Sequence, residues 1–143
     1  MDRAKLAKEY SGKGYNCAQA VACSFSDVIG LPPEKVAGLL GGFGGGLRTG
    51  EVCGVITGAA LVLGAKWPLD DPSDSERKAF ISEKVMLLQK EFADRFGAVR
   101  CEVLKPMDPA PEKSPASQRL GVEKTCGIYI VAAVEILEKM LEL

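Results

Sequence analysis

Four of the five cysteines in this chain of 143 residues, Cys17, Cys53, Cys101 and Cys126, lie at or near positions where the sequence predicts the start of a helix. The first turn of a helix presents free backbone N–H groups and the positive end of the helix dipole, which stabilise a thiolate and lower the pKa of its thiol. A single cysteine in a globular domain is more often a small, inert core residue. Because four cysteines share this placement, the pattern indicates thiol chemistry.

The amino-acid composition excludes several kinds of catalytic and metal site. Histidine is absent, which removes the usual general base near neutral pH and every imidazole metal ligand. Any metal would therefore be held by thiolates, carboxylates or cofactor atoms. The 18 basic and 19 acidic residues form no long run of either sign, so nucleic acid is not an expected partner. The acidic residues form no evident acid/base pair for hydrolysis.

Length and apolar content predict a single domain over residues 1–143. A chain of this size with 47% hydrophobic residues can bury one core. The first ten residues lack the apolar segment and cleavage site of a secretory signal. The longest apolar stretch, residues 52–65, is too short to span a bilayer. We therefore expect no membrane insertion and a cytoplasmic location.

The elements that position the cysteines begin with a short amphipathic helix over residues 2–10. A second helix starts at Asn16, which can cap it while Gln19 reaches back in a variant of the capping box, leaving Cys17 as the first helical residue. This helix is predicted to end near Gly30. Cys23 lies on a different face from Cys17 and is expected in the core.

A glycine-rich run, Gly41 to Gly46, precedes the next cysteine. It cannot remain regular helix, because each glycine costs about 1 kcal/mol relative to alanine. It lacks the lysine and the preceding strand of a nucleotide-binding loop, so we interpret it as a sharp turn that delivers Cys53 to a crowded centre. Residues 52–65 then form the central buried helix, where Gly54 and Gly58 permit close backbone approach.

The second half of the chain is also predicted to be helical. An apolar stripe predicts a long helix from about residue 76 to Phe96, ended by Gly97, and Cys101 opens one further turn. A long connection follows, in which helix is excluded by four prolines, Pro106, Pro109, Pro111 and Pro115. We expect an ordered loop, a lid or a mobile segment there.

The last helix starts between Gly121 and Thr125, and Thr125 is a candidate cap for Cys126. No segment shows strand alternation. The predicted fold is therefore all-α, a compact bundle of about five or six helices with a central glycine-rich loop and a buried helix.

Several of these motifs together resemble the C_GCAxxG_C_C family. They are the segment from Gly14 to Gln19, the Gly41 to Gly46 run, the segment from Gly50 to Gly58, and the later cysteines Cys101 and Cys126. The resemblance covers nearly the whole chain and departs at Val55, where the family has alanine. It implies four shared cysteines and a redox role, with no substrate attached.

The leading hypothesis is a thiol/disulfide redox protein, a thiol-disulfide oxidoreductase in the case that it is an enzyme. Cys53 is the favoured reactive thiol, because it starts the most buried helix and follows Arg48 closely. Cys17, Cys101 and Cys126 are its candidate partners, and four cysteines leave three pairings open. The expected electron partner is a redox protein or a small thiol.

Two alternatives stay open. Four thiolates on converging helices could ligate zinc or an iron-sulfur cluster, although the chain lacks the Cys-x-x-Cys spacing typical of such sites. The other alternative is a non-enzymatic helical scaffold or dimerisation module with buried, inert thiols. The amphipathic helices allow a homodimer, but an apolar stripe facing the chain's own core has the same pattern.

Overall fold

Helices supply the regular structure of this protein. The computed structural model describes residues 1–108 and 110–143. In that part 69% of the residues are helical and there are no strands, which confirms the all-α prediction. Within the same residues, no helix combines the length and apolar character needed to cross a membrane. The prediction of a helix-breaking proline at Pro109 lies outside the described residues.

The described residues form nine α-helices and two irregular turns. In chain order the helices are α1 (Arg3–Gly12), α2 (Cys17–Cys23), α3 (Ser26–Ile29), α4 (Pro33–Leu39), α5 (Gly54–Lys66), α6 (Ser75–Phe96), α7 (Cys101–Leu104), α8 (Pro115–Arg119) and α9 (Thr125–Met140). A 3₁₀ turn, Gly41–Phe43, and a wide turn, Gly46–Gly50, connect α4 to α5. The predicted number of five or six helices is therefore too low.

One additional helix comes from a break inside a predicted one. The helix expected to run from Asn16 to Gly30 stops after Cys23, because the Ser24 hydroxyl turns back to donate to the carbonyl oxygen of Val21 at 2.7 Å. The short α3 follows and ends at Gly30, which has a left-handed φ of 81°.

A second additional helix lies in the proline-rich connection. Pro115 occupies the first position of α8, where its missing N–H is not needed by the helix. The Ser114 hydroxyl caps the same helix by accepting from the backbone N–H of Ser117 at 3.1 Å. Pro115 therefore starts a helix, and the prediction that the connection contains no helix was wrong at α8.

The buried helix α5 packs against α2, α6 and α9, as expected for a central element. An aromatic cluster joins α6 to α9, with the Tyr129 ring centroid 5.8 Å from that of Phe92 and 4.9 Å from that of Phe96. The Tyr129 hydroxyl donates to the carbonyl oxygen of Leu104 at 2.8 Å. This bond fixes α7, and with it Cys101, against the core.

Two glycines let α5 touch α2. A Cβ added at Gly58 would lie 2.6 Å from the carbonyl oxygen of Ala18, and one added at Gly54 would lie 3.1 Å from the Ala18 nitrogen. The predicted close approach is confirmed, and its neighbour is the backbone of α2. The contact brings the first turns of the two helices, and therefore Cys17 and Cys53, to the same place.

The glycine-rich run ends in a left-handed turn. Residues 45–48 have φ values of 62°, 60°, 57° and 66° in sequence, and the last two are Leu47 and Arg48. For a residue with a Cβ this conformation costs roughly 1–2 kcal/mol. At Gly46 a Cβ would lie 2.5 Å from the carbonyl oxygen of Glu51 and 2.8 Å from the Cβ of Cys101, so only glycine fits. The predicted sharp turn thus also packs against Cys101.

Candidate thiol site

All four predicted cysteines lie at helix starts. Cys17 is the first residue of α2 and Cys101 the first of α7, while Cys126 is the second residue of α9. Cys53 immediately precedes α5 as its N-cap. The placement derived from caps, glycines and flanking breakers is therefore confirmed for Cys17, Cys53 and Cys101. The placement of Cys126 depended on where the last helix starts, and a start at Thr125 puts it in the first turn.

The capping box predicted at Asn16 fixes Cys17. The Asn16 side-chain oxygen accepts from the backbone N–H of Gln19 at 2.8 Å, and the Gln19 side-chain oxygen accepts from the backbone N–H of Asn16 at 2.9 Å. The amide nitrogens of both side chains donate outward, Asn16 to the Leu40 carbonyl at 3.1 Å and Gln19 to the Ala37 carbonyl at 2.8 Å. The start of α2 is thereby tied to the end of α4.

A short antiparallel bridge holds Cys53 beside Cys101. Val52 pairs with Arg100, and two backbone bonds flank the pair. The N–H of Cys53 donates to the Val99 carbonyl at 2.7 Å, and the N–H of Cys101 donates to the Glu51 carbonyl at 2.6 Å. One isolated bridge has no sequence periodicity, so the pattern could not predict it.

The start of α9 differs in detail from the prediction. Lys124 is the N-cap, and Thr125 is the first helical residue. The Thr125 hydroxyl does not cap the helix but donates to the carbonyl oxygen of Met107 at 2.7 Å. Thr125 therefore ties the first turn of α9, with Cys126, to the segment that follows α7.

The structure brings the four helix starts together. A Cβ added at Gly54, next to Cys53, would lie 3.3 Å from the Cβ of Cys17, and the Val52–Arg100 bridge places Cys101 beside Cys53. The side chain of Cys17 lowers the pKa of Cys126, and the side chain of Cys126 raises the pKa of Cys17, so these two cysteines are neighbours as well. Cys23 stays apart: it is fully buried, and its sulfur donates to the Pro33 carbonyl at 3.5 Å, which confirms it as a core residue.

The two cysteines have opposite pKa shifts. Interaction with Cys17 lowers the pKa of Cys126 below its usual range, and the positive charge of Lys105 lowers it further, against an opposing effect of burial. Interaction with Cys126, together with burial, raises the pKa of Cys17. Cys126 is therefore the favoured nucleophile of the two.

Cys53 has the opposite environment. Only 5% of its surface is exposed, and burial raises the pKa of Cys53 to about 12 despite a backbone hydrogen bond from Val55 that lowers it. The side chain of Arg48 donates to the Gly41 carbonyl at 3.1 Å and so stabilises the glycine-rich turn. Burial thus raises the pKa of Cys53 more than its position at a helix start lowers it, which opposes the thiolate expected there. Its part in the reaction stays a prediction.

The raised pKa of Cys53 predicts a loss of stability in alkali. Between the usual cysteine pKa of about 8.5 and the folded value of about 12, the unfolded chain releases a proton that the folded chain keeps. The free energy of unfolding therefore falls with rising pH, by about 1.4 kcal/mol per pH unit from this group. We expect Cys53→Ala to remove that part of the slope in urea unfolding followed across this pH range.

Burial also raises the pKa of Tyr129 to about 12, with smaller effects from the charges of Cys126 and Cys53. Tyr129 is present in both proteins, so the effect of its burial cancels in the comparison. The lost sulfur lowers the stability of the variant by an amount that does not depend on pH. Parallel pH profiles for wild type and Cys53→Ala would contradict the assignment.

In the part of the chain that the structure describes, no three histidine, cysteine, aspartate or glutamate side chains are arranged so that they could hold a metal ion.

An all-α fold with four cysteines at neighbouring helix starts defines the class of this protein as a helical thiol protein. Residues 15–140 match the family model described as "Putative redox-active protein (C_GCAxxG_C_C)", and the chain belongs to this family. The match includes all four site cysteines and the glycine-rich turn. Searches of curated proteins and of solved structures gave no significant match.

Proposed function

We propose that this protein carries out reversible thiol–disulfide exchange, with Cys126 as the attacking thiolate and Cys17 as the resolving thiol. The observation that carries the proposal is the position of Cys17 and Cys126 at the starts of α2 and α9, close enough for each side chain to shift the pKa of the other. The description of the family as redox-active supports the same class of chemistry.

The reaction has two steps. The Cys126 thiolate attacks one sulfur of an oxidant disulfide, forms a mixed disulfide and releases the first half of the oxidant as a thiolate. Cys17 loses its proton and attacks the Cys126 sulfur, which forms the Cys17–Cys126 disulfide and releases the second half. Two electrons pass from the two protein thiols to the oxidant, and one proton leaves with the products.

Accessibility favours Cys126 over Cys53 as the point of attack. Cys126 is half-buried, whereas Cys53 is enclosed. Cys53 and Cys101 are proposed as partners of the pair, since the charge of each influences the pKa of Cys17. A thiol pair of this kind works in a compartment that keeps thiols reduced, so we place the protein in the cytoplasm, where a redox protein or a small thiol regenerates it.

The lowered pKa of Cys126 predicts how its rate of alkylation depends on pH. Alkylation follows the thiolate, so the rate at Cys126 should reach half its maximum below the usual cysteine pKa of about 8.5. Cys17→Ala removes the side chain that lowers the pKa of Cys126 most, and the midpoint should then move to higher pH. The measurement is the iodoacetamide rate at Cys126 against pH, read by mass spectrometry of the peptide that contains it.

Cys101→Ala is the matched control, because Cys101 is absent from the groups that shift the pKa of Cys126. The midpoint in this variant should equal that of the wild type. If Cys17→Ala and wild type share one midpoint, Cys17 does not activate Cys126.

Zinc or iron-sulfur ligation is the second candidate, because the sequence places four cysteines at helix starts, although among the described residues no three side chains are arranged to hold a metal ion. Cysteine thiolates are ligands for both. Metal analysis of protein purified without oxygen decides between the two: stoichiometric zinc or iron bound through Cys17 and Cys126 would replace the exchange proposal.

A further inference from the structure

A pocket of about 390 Å³ opens beside Cys126. It lies between the end of α1 and the start of α9, and its wall includes the apolar side chains of Val122 and Ile130 as well as Cys126. Its volume is within the range of small-molecule sites. A thiolate in the wall of such a pocket can meet a small ligand without any movement of the helices.

Positive charge surrounds the pocket. Lys8 and Lys124 both line it and are exposed, and the Nζ of Lys8 is fixed by donating to the Leu120 carbonyl at 2.7 Å. The one acidic residue of the lining, Glu123, is paired with Lys113 outside it at 2.7 Å. Two lysine charges therefore stay available to a ligand. The first turn of α9, a helix of 16 residues, adds the positive end of its dipole.

We propose that this pocket binds a small disulfide bearing carboxylate groups, and that this molecule is the oxidant of the Cys126–Cys17 pair. The inference rests on the proposed exchange chemistry and adds the class of substrate. Lys8 and Lys124 hold the carboxylates of the disulfide, and its sulfur–sulfur bond lies against Cys126.

The position of Cys17 fits this arrangement. Cys17 is not part of the pocket wall, yet it starts α2 and is close enough to Cys126 for each side chain to shift the pKa of the other. In thiol–disulfide exchange the attacking sulfur and the leaving sulfur lie on opposite sides of the central one. Cys17 therefore attacks from the protein side, and the second half of the oxidant leaves into the pocket as a carboxylate-bearing thiolate.

The test compares three disulfides of different charge. Dithiobis(nitrobenzoate) carries two carboxylates, dipyridyl disulfide is neutral, and cystamine carries two ammonium groups. We expect Lys8→Gln/Lys124→Gln to slow the reaction with dithiobis(nitrobenzoate) about tenfold, because local charge raises the concentration of an oppositely charged ligand. The dipyridyl rate should stay within about twofold, and the cystamine rate should rise.

Lys35→Gln/Lys78→Gln is the matched control. It removes the same net charge from exposed residues that do not line the pocket. A second variant, Gly12→Phe, adds bulk at the pocket wall, where an added Cβ meets no atom within 4 Å. It should slow the reaction of Cys126 with both aromatic disulfides more than its alkylation by the smaller iodoacetamide.

The outcomes separate the two proposals. A selective loss of the dithiobis(nitrobenzoate) rate in the pocket variant, absent from the Lys35/Lys78 control, supports the pocket. Equal effects of the two double variants overturn the pocket and leave the exchange chemistry in place. If none of the three disulfides modifies Cys126 in the wild type, the exchange proposal fails, and the substrate assignment fails with it.

Discussion

Cys126→Ser is expected to lose the reversible oxidation by disulfides that we propose for this protein. A serine hydroxyl has no accessible anion near neutral pH and cannot form a disulfide, so the rate of reaction with a disulfide oxidant should fall at least ~100-fold. The measurement counts free thiols after a brief oxidant pulse and again after reduction. Wild type should lose two thiols and regain both, whereas the variant should keep the thiols it starts with.

Cys53→Ser is the informative comparison. Because Cys53 is only 5% exposed and burial raises its pKa to about 12, this variant should retain the wild-type rate within about threefold. The opposite pattern, with Cys53→Ser inactive and Cys126→Ser active, would restore Cys53 as the reactive thiol that the sequence alone favours.

Cys17→Ala should behave differently from both. Without a resolving thiol the first exchange still occurs, and the mixed disulfide on Cys126 persists. Intact mass should then rise by one half of the oxidant. Release of that half without Cys17 would show that another cysteine resolves the intermediate.

Gly58→Ala is expected to have the largest effect on stability. The new Cβ would lie 2.6 Å from the carbonyl oxygen of Ala18 and 2.9 Å from its Cα, and these are backbone atoms that cannot rotate away. The helices α2 and α5 must then separate, at a cost of roughly 2–3 kcal/mol. For a domain of this size the melting temperature should fall by roughly 6–12 °C. Cys17, next to Ala18, should move away from its partners, and exchange should slow as well.

Gly64→Ala is the control on the same helix. A Cβ at Gly64 meets no atom within 4 Å, so alanine should stabilise α5 by roughly 0.5–1 kcal/mol through its helix propensity. Thermal unfolding of the two variants followed by circular dichroism provides the comparison. Equal melting temperatures would show that α2 and α5 do not touch at Gly58.

The helices and the placement of the cysteines were predictable because their causes are local. The Asn16 and Gln19 capping box, the stop at Gly97 and the apolar stripe of the long helix each act within a few residues. The paired glycines of α5 predicted a close neighbour, although the identity of that neighbour, α2, needed the structure. The short helices α3 and α8 were missed because a helix of about one turn has too few residues to show periodicity.

The choice of the reactive thiol was not predictable for a different reason. A helix start is visible in sequence, but burial and the approach of residues far along the chain are not. Cys17 and Cys126 belong to opposite ends of the chain, and each shifts the pKa of the other. Lys105, whose positive charge lowers the pKa of Cys126, lies in a segment that the sequence assigned to a connection. Tertiary contacts of this kind decide a pKa more strongly than the local helix position.

Peptide mapping of the oxidised protein identifies directly which two cysteines form the disulfide. The protein is exposed to one equivalent of a disulfide oxidant, the remaining thiols are alkylated, and the digest is analysed without reduction. Cys17 and Cys23 share the tryptic peptide from Gly14 to Lys35, so fragment spectra must distinguish them. We expect a disulfide between Cys17 and Cys126 that disappears on reduction. A disulfide between Cys53 and Cys101 in its place, or no disulfide at all, would contradict this expectation.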